Sequence, residues 1–463
     1  MPLVISVSGV RGTIGTSPDG TPGLTPDVLL AYVSGYAHYV RAEHGEGATV
    51  VVGRDGRMSG PVVAQFAIAT LRFAGIDVID LDLSTTPTVE LAVVRHRAQG
   101  GIVLSASHNP REYNALKLLN ERGEFLSAAD GERIKSYVAA GGFTYPGVEA
   151  LGGLTVSTDD IVHHVEQICA LPLVDVAAIR AAGLHVVVDC INSTGASSVP
   201  PLLDALGVSY ELLFEDVSGD FAHEAEPLPK NLTVLAKAVG GGPADLGIAV
   251  DPDVDRLVLV SEDGSMFGEE YTLAAVADYV LAHTPGPVVS NLSSSRVLRD
   301  VADSYGQSYA AGAVGEVHVV AKMREVGAVL GGEGNGGIIY PDLHYGRDSL
   351  VGIALVLSHL ATSGKRASEL RAAFPDYTIV KEKLALPDRD RVPAILTEVA
   401  AAYATHDVDR TDGVKVDMPD GWVHLRASNT EPIVRVIAES RDEASARQLA
   451  ADALAIMRGA LTT

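Results

Sequence analysis

A unit of strand, polar turn, helix, glycine and second strand occurs three times in this chain of 463 residues. The copies lie at residues 50–79, 186–210 and 288–309, and each begins with a valine-rich strand. Parallel strands need a long crossover connection, usually a helix, and such βαβ units are right-handed. The copies lie too far apart for the short period of a solenoid. The pattern therefore predicts three related α/β domains in series, each with a mixed sheet.

The end of the chain departs from this unit. Short strands flank the Pro-Asp-Gly sequence at residues 419–421, which is typical of a hairpin turn. A further strand at residues 433–438 precedes an alanine-rich amphipathic helix at residues 442–458. These elements predict a C-terminal α+β domain, preceded by a linker at residues 375–388. The full division that we predict is 1–152, 153–264, 265–374 and 375–463.

The composition restricts the class of protein. Hydrophobic residues make up 47% of the chain and charged residues 20%, which excludes a disordered protein. The net charge of −24 predicts a surface that repels nucleic acid and anionic membranes. Two cysteines are too few for a disulfide framework. The sequence shows neither a signal-peptide pattern nor an apolar run of ~18 residues. We therefore expect a cytoplasmic protein.

The sequence Ser-Ala-Ser-His-Asn-Pro at residues 105–110 follows an apolar run at residues 102–104 that predicts a buried strand. Ser107 is thereby expected at a strand end, where ligands of open α/β sheets bind. His108 is its neighbour, and Lys117 follows closely along the chain. A serine with a base and a cation nearby is a candidate nucleophile. The alternative is a polar turn with a chance Ser-His pair.

Three aspartates alternate in the sequence Asp-Pro-Asp-Val-Asp-Arg. In an extended segment Asp251, Asp253 and Asp255 would face the same side and repel one another unless a cation lay between them. Oxygen ligands favour a hard divalent ion such as Mg²⁺. An EF-hand is excluded because Arg256 stands where that loop needs glycine, and because the flanking residues predict strands. The alternative is a solvated acidic turn.

Two further motifs suggest ligand contacts. Residues 426–435 combine hydroxyl and amide side chains between two arginines, a pattern typical of a phosphate site. Residues 331–337 contain a G-x-G-x-x-G pattern, but no helix pattern follows, which disfavours a dinucleotide site. A turn presenting Glu333 and Asn335 to a polyhydroxylated ligand fits better. Ordinary polar and glycine turns remain the alternatives.

These four motifs, in their order along the chain, resemble those of the α-D-phosphohexomutase superfamily of phosphoglucomutases, phosphomannomutases and phosphoglucosamine mutases. The resemblance covers the whole chain and implies four domains around a central cleft, each contributing one loop. Arg11 and Arg347 lie in glycine-containing turns that by themselves indicate only structure. The resemblance adds both residues to the expected site.

The resemblance implies a role for each motif. Ser107 would carry the phosphoryl group. The ligands of Mg²⁺ would be an oxygen of the phosphate on Ser107 and the carboxylates of Asp251, Asp253 and Asp255. The residues around the transferring group would be Arg11, His108, Lys117 and Arg256. The contacts to the sugar would come from Glu333, Asn335 and Arg347. The other phosphate of the substrate would be bound by Arg426, Ser428, Asn429, Thr430 and Arg435.

The implied reaction has two halves. The phosphoserine gives its phosphoryl group to a hexose monophosphate, and the resulting hexose 1,6-bisphosphate, which also acts as activator, turns over before its other phosphate returns to Ser107. Lys117 or His108 could take the proton of the attacking hydroxyl. Phosphoryl transfer depends mainly on positioning and charge neutralisation, which agrees with the residue types in the motifs.

Some residues depart from the common pattern of the superfamily. Asn335 stands where many members have serine, Gly337 where they have histidine, and Ala115 where glycine is frequent. The glycine-rich motif resembles a subgroup of phosphoglucosamine mutases and phosphomannomutases. We therefore predict a phosphoglucosamine mutase, with a phosphomannomutase or phosphoglucomutase as the alternative. A metal-dependent sugar phosphatase and a silent phosphosugar-binding protein are further alternatives. The expected partner is a small phosphosugar, and the protein is expected to be a monomer or homodimer.

Overall fold

The computed structural model describes residues 3–6, 9–17, 20–386, 388–428 and 433–462. Four β-sheets follow one another along these residues. The first three combine parallel and antiparallel strands, and the fourth is antiparallel throughout. The predicted fold class, three mixed α/β domains followed by an α+β domain, is confirmed.

The first sheet has the strand order β1-β2-β6-β5-β3-β4-β7. Its strands are β1 Val4–Ser6, β2 Gly9–Thr13, β3 Thr49–Arg54, β4 Asp77–Leu83, β5 Gly100–Leu104, β6 Tyr113–Leu119 and β7 Leu154–Val156. The accompanying helices are α1 Pro26–His44, α2 Gly60–Phe73, α3 Thr86–Arg95 and α4 Ala128–Ala140. The edge strand β7 lies just beyond the predicted end of the first domain, and that boundary stays a prediction.

The second and third sheets have the orders β11-β10-β8-β9 and β13-β12-β14-β15. The second unit contains α5 Asp160–Cys169, α6 Val176–Ala182, β8 His185–Asp189, α7 Gly195–Leu206, β9 Ser209–Leu213, α8 Thr233–Gly240, β10 Leu246–Val250 and β11 Leu257–Ser261. The third contains α9 Glu269–His283, β12 Val288–Asn291, α10 Val297–Ser304, β13 Tyr309–Gly312, α11 Glu316–Val326, β14 Leu330–Glu333, β15 Gly337–Ile339, α12 Ser349–Ser363 and α13 Ala367–Ala372.

The same local arrangement recurs in the first three sheets. The order β6-β5-β3-β4 in the first corresponds to β11-β10-β8-β9 in the second and β15-β14-β12-β13 in the third. In each sheet a strand of the parallel set turns back into an antiparallel partner. The turns lie at residues 105–112, 251–256 and 334–336. Three of the sequence motifs therefore occupy equivalent positions in three repeated units.

One hydrophobic core is shared by the second and third units. It includes Val186 of β8, Leu257 of β11 and Leu330 of β14. Helix α12 packs against α5, α6, α7 and α9, and its residues from 349 to 360 are all buried. A helix that is apolar around its whole circumference is stable only when protein surrounds it. None of the helices in the described ranges is long and apolar enough to cross a membrane.

The fourth sheet has the order β16-β20-β19-β18-β17 and a separate core. Its elements are β16 Thr378–Ala385, α14 Val392–Ala402, β17 Asp407–Asp409, β18 Val414–Met418, β19 Gly421–Ala427, β20 Ile433–Ser440 and α15 Glu443–Thr462. The predicted linker at 375–388 is wrong for most of its length, because β16 pairs with β20 along all of its residues. The charged sequence at residues 381–383 is exposed, as an edge strand permits.

Arg296, at the start of α10, connects the third unit to the fourth sheet. Its guanidinium donates to Asp417 Oδ1 at 2.6 Å and to the carbonyls of Met418, Pro419 and Gly421. Its backbone N–H donates to Glu439 Oε1. The same oxygen accepts the indole N–H of Trp422 at 2.7 Å. The fluorescence of Trp422, the sole tryptophan of the chain, should therefore report on this junction.

Replacing Arg296 with alanine should lower the stability of the fourth sheet by roughly 2–4 kcal/mol, because several buried acceptors lose their donor. Urea unfolding followed by Trp422 fluorescence measures the loss. The matched control is Arg299→Ala, because Arg299 is 33% exposed and its contact with Asp417, at 3.4 Å, is longer than that of Arg296. A change below about 1 kcal/mol is expected for the control. Equal midpoints for the two variants would contradict the assigned role of Arg296.

Candidate active site

The turn that carries Ser107 begins where the buried strand β5 ends at Leu104. Ser107 has φ of 48°, a left-handed conformation that non-glycine residues adopt rarely and that concentrates at functional sites. Its N–H donates to Ser105 Oγ at 2.9 Å, and Ser105 Oγ donates to Asp55 Oδ2 at 2.7 Å. The hydrogen bonds of this second serine hold the turn in its unfavourable conformation.

Arg57 supports the same turn from within the protein. Its side chain is completely buried, and its Nε donates to Asp55 Oδ2 at 3.0 Å. Its two terminal nitrogens donate to the backbone carbonyls of Ser107, Asn109, Pro110 and Tyr113. Sequence reasoning missed Arg57 as a functional residue. The polar turn at residues 55–57, directly after the apolar strand β3, is the local signal that could have found it.

The hydroxyl of Ser107 reaches the second unit. It donates to Asp251 Oδ2 at 2.6 Å and lies 3.5 Å from His108 Nδ1. The turn at residues 251–256 is closed by Asp251, whose Oδ1 accepts the backbone N–H groups of Asp255 and Arg256 at 3.1 Å. The two turns at the ends of β5 and β10 are therefore in direct contact.

The three aspartates converge as the sequence predicted. Each of Asp251, Asp253 and Asp255 is 0% exposed, and one oxygen of each lies within 4.8 Å of the others. Lys117 Nζ lies 2.5 Å from Asp253 Oδ2 and 3.2 Å from Asp255 Oδ2. Thr86 Oγ1 also donates to Asp253 Oδ2, and the guanidinium of Arg347 donates to Asp255 Oδ2 at 2.8 Å. Thr86 is another residue that the sequence analysis missed.

The aspartates fit a hard divalent cation. The Oδ1 atoms of Asp253 and Asp255 are buried and have no hydrogen-bond partner within the described part of the chain. Burial, and then the negative charges of Asp255 and Asp253, raise the pKa of Asp251 well above its usual value. Carboxylate oxygens that repel one another and point at a common position are the donor set that Mg²⁺ takes in proteins. The triad could hold a metal ion.

Positive side chains surround this acidic centre. Arg11 Nη1 donates to Asn109 Oδ1 at 2.9 Å, and Arg256 Nε lies 4.0 Å from Asp251 Oδ2. Burial opposes the charged form of Lys117, but the carboxylates of Asp253 and Asp255 outweigh it and raise its pKa above the usual value. Burial, and then the charges of Arg256 and Arg11, lower the pKa of His108 to about 2. At neutral pH, Lys117 is charged and His108 is neutral.

The third unit contributes the turn after β14. Glu333 Oε1 accepts from Asn291 Nδ2 at 2.9 Å, and Glu333 Oε2 lies 3.2 Å from Arg347 Nη1. Arg347 Nε also donates to Glu316 Oε2 at 2.8 Å, so that this arginine bridges three carboxylates. Sequence reasoning missed Asn291 and Glu316 as supports. The available sequence signals were a polar residue at the end of β12, which is Asn291, and an acidic residue at the start of α11, which is Glu316.

The side chain of Asn335 binds the backbone of its own loop. Its Oδ1 accepts the backbone N–H of Gly337 at 3.2 Å, and its side chain is partly exposed. The contact closes the turn between β14 and β15. The predicted role of Asn335 in touching a sugar stays a prediction.

The fourth motif lies at the turn between β19 and β20. Arg426 and Arg435 face each other across these strands, and Ser428 is 8% exposed. The predicted residues Asn429 and Thr430 lie outside the described residues. Arg426 Nε lies 3.2 Å from Asp412 Oδ2, and this oxygen also accepts the N–H of Val314. Asp412 thus joins the fourth motif to the loop before α11, whose Gly315 N–H donates to Glu333.

Family models of the phosphoglucomutase/phosphomannomutase family match four successive parts of the chain. The alpha/beta/alpha domains I, II and III match residues 4–144, 162–264 and 268–377, and the C-terminal domain matches residues 382–456. The chain belongs to the phosphoglucomutase/phosphomannomutase family. The superfamily predicted from the four sequence motifs is confirmed.

Individual relatives match along almost their whole length. A probable phosphoglucosamine mutase of Methanopyrus kandleri is 35% identical, over 97% of each chain. A phosphoglucomutase/phosphomannomutase of Thermococcus kodakarensis is also 35% identical, over 94% of this chain and 96% of that protein. Among solved structures, a phosphoglucomutase/phosphomannomutase family protein of Burkholderia thailandensis has a TM-score of 0.84 and 28% identity, covering 99% of this chain and 98% of its own.

Replacing Arg57 with lysine should loosen the Ser107 turn, because an ammonium cannot contact four carbonyls and Asp55 together. Amide hydrogen exchange over residues 105–113 should accelerate at least about tenfold, which corresponds to about 1.4 kcal/mol of local stability. Mass spectrometry of peptic fragments measures this. The matched control is Arg54→Lys, because Arg54 pairs with the exposed Asp82. Unchanged exchange in Arg57→Lys, or equal acceleration in the control, would contradict the support role.

Proposed function

We propose that this protein is a phosphohexomutase that interconverts a hexose 6-phosphate and a hexose 1-phosphate through phosphorylated Ser107 and a hexose 1,6-bisphosphate. The observation that carries the proposal is the contact of Ser107 Oγ with Asp251 Oδ2 at 2.6 Å. The hydroxyl belongs to a strained turn and contacts one member of a cluster of three buried carboxylates, to which the charged Lys117 also binds. This combination suits a group that holds a phosphoryl group next to a divalent cation.

Asp251, Asp253 and Asp255, with the phosphate on Ser107, would hold Mg²⁺. When bound, the ion supplies positive charge that offsets the charge on the transferring phosphoryl oxygens. Lys117 supplies further charge through its contacts with Asp253 and Asp255, and Arg11 and Arg256 lie near the Ser107 turn. These groups are positioned before the reaction, so that they need little reorganisation during it.

The proton of Ser107 needs an acceptor when phosphate returns to the enzyme. His108 Nδ1 lies 3.5 Å from Ser107 Oγ, so we assign it as the acceptor. The lowered pKa of His108 leaves the ring neutral at neutral pH but makes it a weak base, so it would pass the proton on to the sugar oxygen rather than keep it. Lys117 is charged and donates to Asp253, so we assign it to charge stabilisation rather than to proton abstraction. In this half-reaction the Ser107 O–P bond forms, the bond between phosphorus and the sugar oxygen breaks, and the sugar oxygen regains a proton.

The opposite half-reaction returns the same groups to their starting states. The sugar hydroxyl forms its bond to phosphorus as the Ser107 O–P bond breaks, and its proton passes to the Ser107 oxygen, which yields the bisphosphate and the free serine. Arg426, Ser428, Asn429, Thr430 and Arg435 would bind the phosphate that does not react, because two arginines and a polar turn suit a phosphate dianion. Glu333, Asn335 and Arg347 would contact sugar hydroxyls. The bisphosphate would also serve as activator by phosphorylating Ser107.

The substrate that we propose is glucosamine phosphate, with mannose phosphate or glucose phosphate as the alternative. Among the relatives described above, one is named a probable phosphoglucosamine mutase and one a phosphoglucomutase/phosphomannomutase. The acidic surface, with a net charge of −24, favours a small phosphosugar as partner over nucleic acid or an anionic membrane. We further propose a cytoplasmic monomer or homodimer.

Replacing Ser107 with alanine should abolish the mutase reaction, because it removes the hydroxyl that donates to Asp251 Oδ2. After incubation with glucose 1,6-bisphosphate, the intact mass of the wild type should increase by about 80 daltons, the mass of one added phosphoryl group. Ser136→Ala, at an exposed position on α4, is the matched control and should gain the same mass. A phosphorylated Ser107→Ala variant, or one with substantial mutase activity, would refute the proposal.

Glucosamine 1-phosphate should be converted with a kcat/KM at least about tenfold above that for mannose 1-phosphate and glucose 1-phosphate, a difference of about 1.4 kcal/mol in transition-state binding. The products should be 6-phosphates, which coupled assays or phosphorus NMR detect. Release of free phosphate as the main product would instead indicate a phosphatase. A preference for either of the other sugars would assign the alternative substrate.

A further inference from the structure

A second cluster of titratable side chains lies outside the site described above. His164 of α5 and Asp348 at the start of α12 are 0% exposed, and Glu90 of α3 is 2% exposed. The side chain of His344, in the loop before α12, is 12% exposed. The cluster therefore joins helices of three different units. None of these four residues belongs to the proposed phosphoryl-transfer site.

The two histidines converge on one carboxylate oxygen. Asp348 Oδ2 lies 2.8 Å from His164 Nε2 and 3.3 Å from His344 Nε2. One possible ligand atom from each of the three residues lies within 4.8 Å of the others. The imidazole rings are perpendicular, with centroids 6.3 Å apart. Zn–N bonds of 2.0–2.1 Å in a tetrahedron require ligand atoms roughly 3.3 Å apart, so a small expansion of this group suffices.

The remaining atom of each side chain is already engaged. His164 Nδ1 lies 3.0 Å from Thr88 Oγ1, and His344 Nδ1 lies 3.3 Å from Glu90 Oε2. Asp348 Oδ1 accepts the backbone N–H groups of Leu350 and Val351 at the start of α12, which leaves Oδ2 for another partner. Histidines that bind metals almost always have their second nitrogen held by a carboxylate, carbonyl or water, and Glu90 is the carboxylate that lies beside His344.

The charges of the cluster leave room for a cation. Glu90 and Asp348 are buried carboxylates, and the histidines balance them only when they carry extra protons. Neither oxygen of Glu90 meets hydrogen-bond geometry with any residue of the described ranges. A divalent ion that takes the place of those protons would offset both carboxylates.

We propose that His164, His344 and Asp348 form a second metal site, which takes Zn²⁺ or a similar borderline divalent ion, with Glu90 and Thr88 orienting the histidines. Imidazole nitrogens favour such ions over Mg²⁺, so the site differs in selectivity from the three aspartates. Three protein ligands leave the fourth tetrahedral position to water. The ion would tie α3, α5 and the start of α12 together, directly beside Arg347.

The experiment measures metal retention, so its outcome is independent of the proposed mutase activity. Full-length protein is stripped with a chelator, given one equivalent of Zn²⁺ in excess Mg²⁺, and analysed for metal after gel filtration. The wild type should retain about one Zn²⁺, and so should Asp253→Asn, which impairs the aspartate site. Co²⁺ in place of Zn²⁺ should give the strong visible absorption of a tetrahedral ion. A wild type that retains no Zn²⁺, or retention lost in Asp253→Asn, overturns the proposal.

Substitutions of single side chains test which residues bind the ion. His344→Gln and His164→Gln should each lose retention, whereas His359→Gln, which replaces a buried histidine that contacts the carbonyl of Ala275, should keep it. Glu90→Gln should weaken the affinity about 10- to 100-fold, the range for a residue that orients a ligand. Zn²⁺ should also raise the melting midpoint of the wild type and of His359→Gln, but not that of His344→Gln. Retention in His344→Gln equal to that of the wild type overturns the proposal.

Discussion

The mutual repulsion of Asp251, Asp253 and Asp255 is the interaction on which the site depends. Burying one carboxylate costs several kcal/mol, and placing three together raises the cost further unless cations surround them. Lys117 comes from the first unit and Arg347 from the third, and each contacts the aspartates of the second. Side chains from three sheets therefore meet at the acidic turn. The stability of this junction and the affinity for a divalent cation that we propose for it have the same electrostatic origin.

The repeated topology explains why side chains so distant in the sequence meet. In each of the first three sheets, a strand of the parallel set turns back into an antiparallel neighbour, and a site loop lies in that turn. The loops thus have equivalent positions but different residues: a hydroxyl in the first, carboxylates in the second, and Glu333 with Asn335 in the third. One repeated scaffold thus places three kinds of chemistry at equivalent turns.

The sequence predicted those parts of the site that lie directly after apolar strands. Ser107 and the three aspartates were visible because polar residues interrupt runs of buried ones. Arg57 and Glu316 were not, because their role depends on contacts with residues distant along the chain, such as the carbonyl of Pro110 and the guanidinium of Arg347. The edge strand β16 was mistaken for a linker, because exposed charged residues are compatible with an edge strand and with a loop. The local sequence pattern thus reveals the candidate catalytic and metal-binding residues, but not the buried residues that position them.

The fourth sheet is joined to the rest differently from the other three. The second and third units share an apolar core around α12, which cannot open without exposing that helix to water. The fourth has its own core and meets the third through polar contacts, including Arg296 with Asp417 and His424 with Ser293. Water can replace such hydrogen bonds at small net cost, whereas it cannot replace apolar packing. In the mutase reaction that we propose, exchange of the two ends of the bisphosphate would need movement at this polar junction, while the contacts among the first three units could persist.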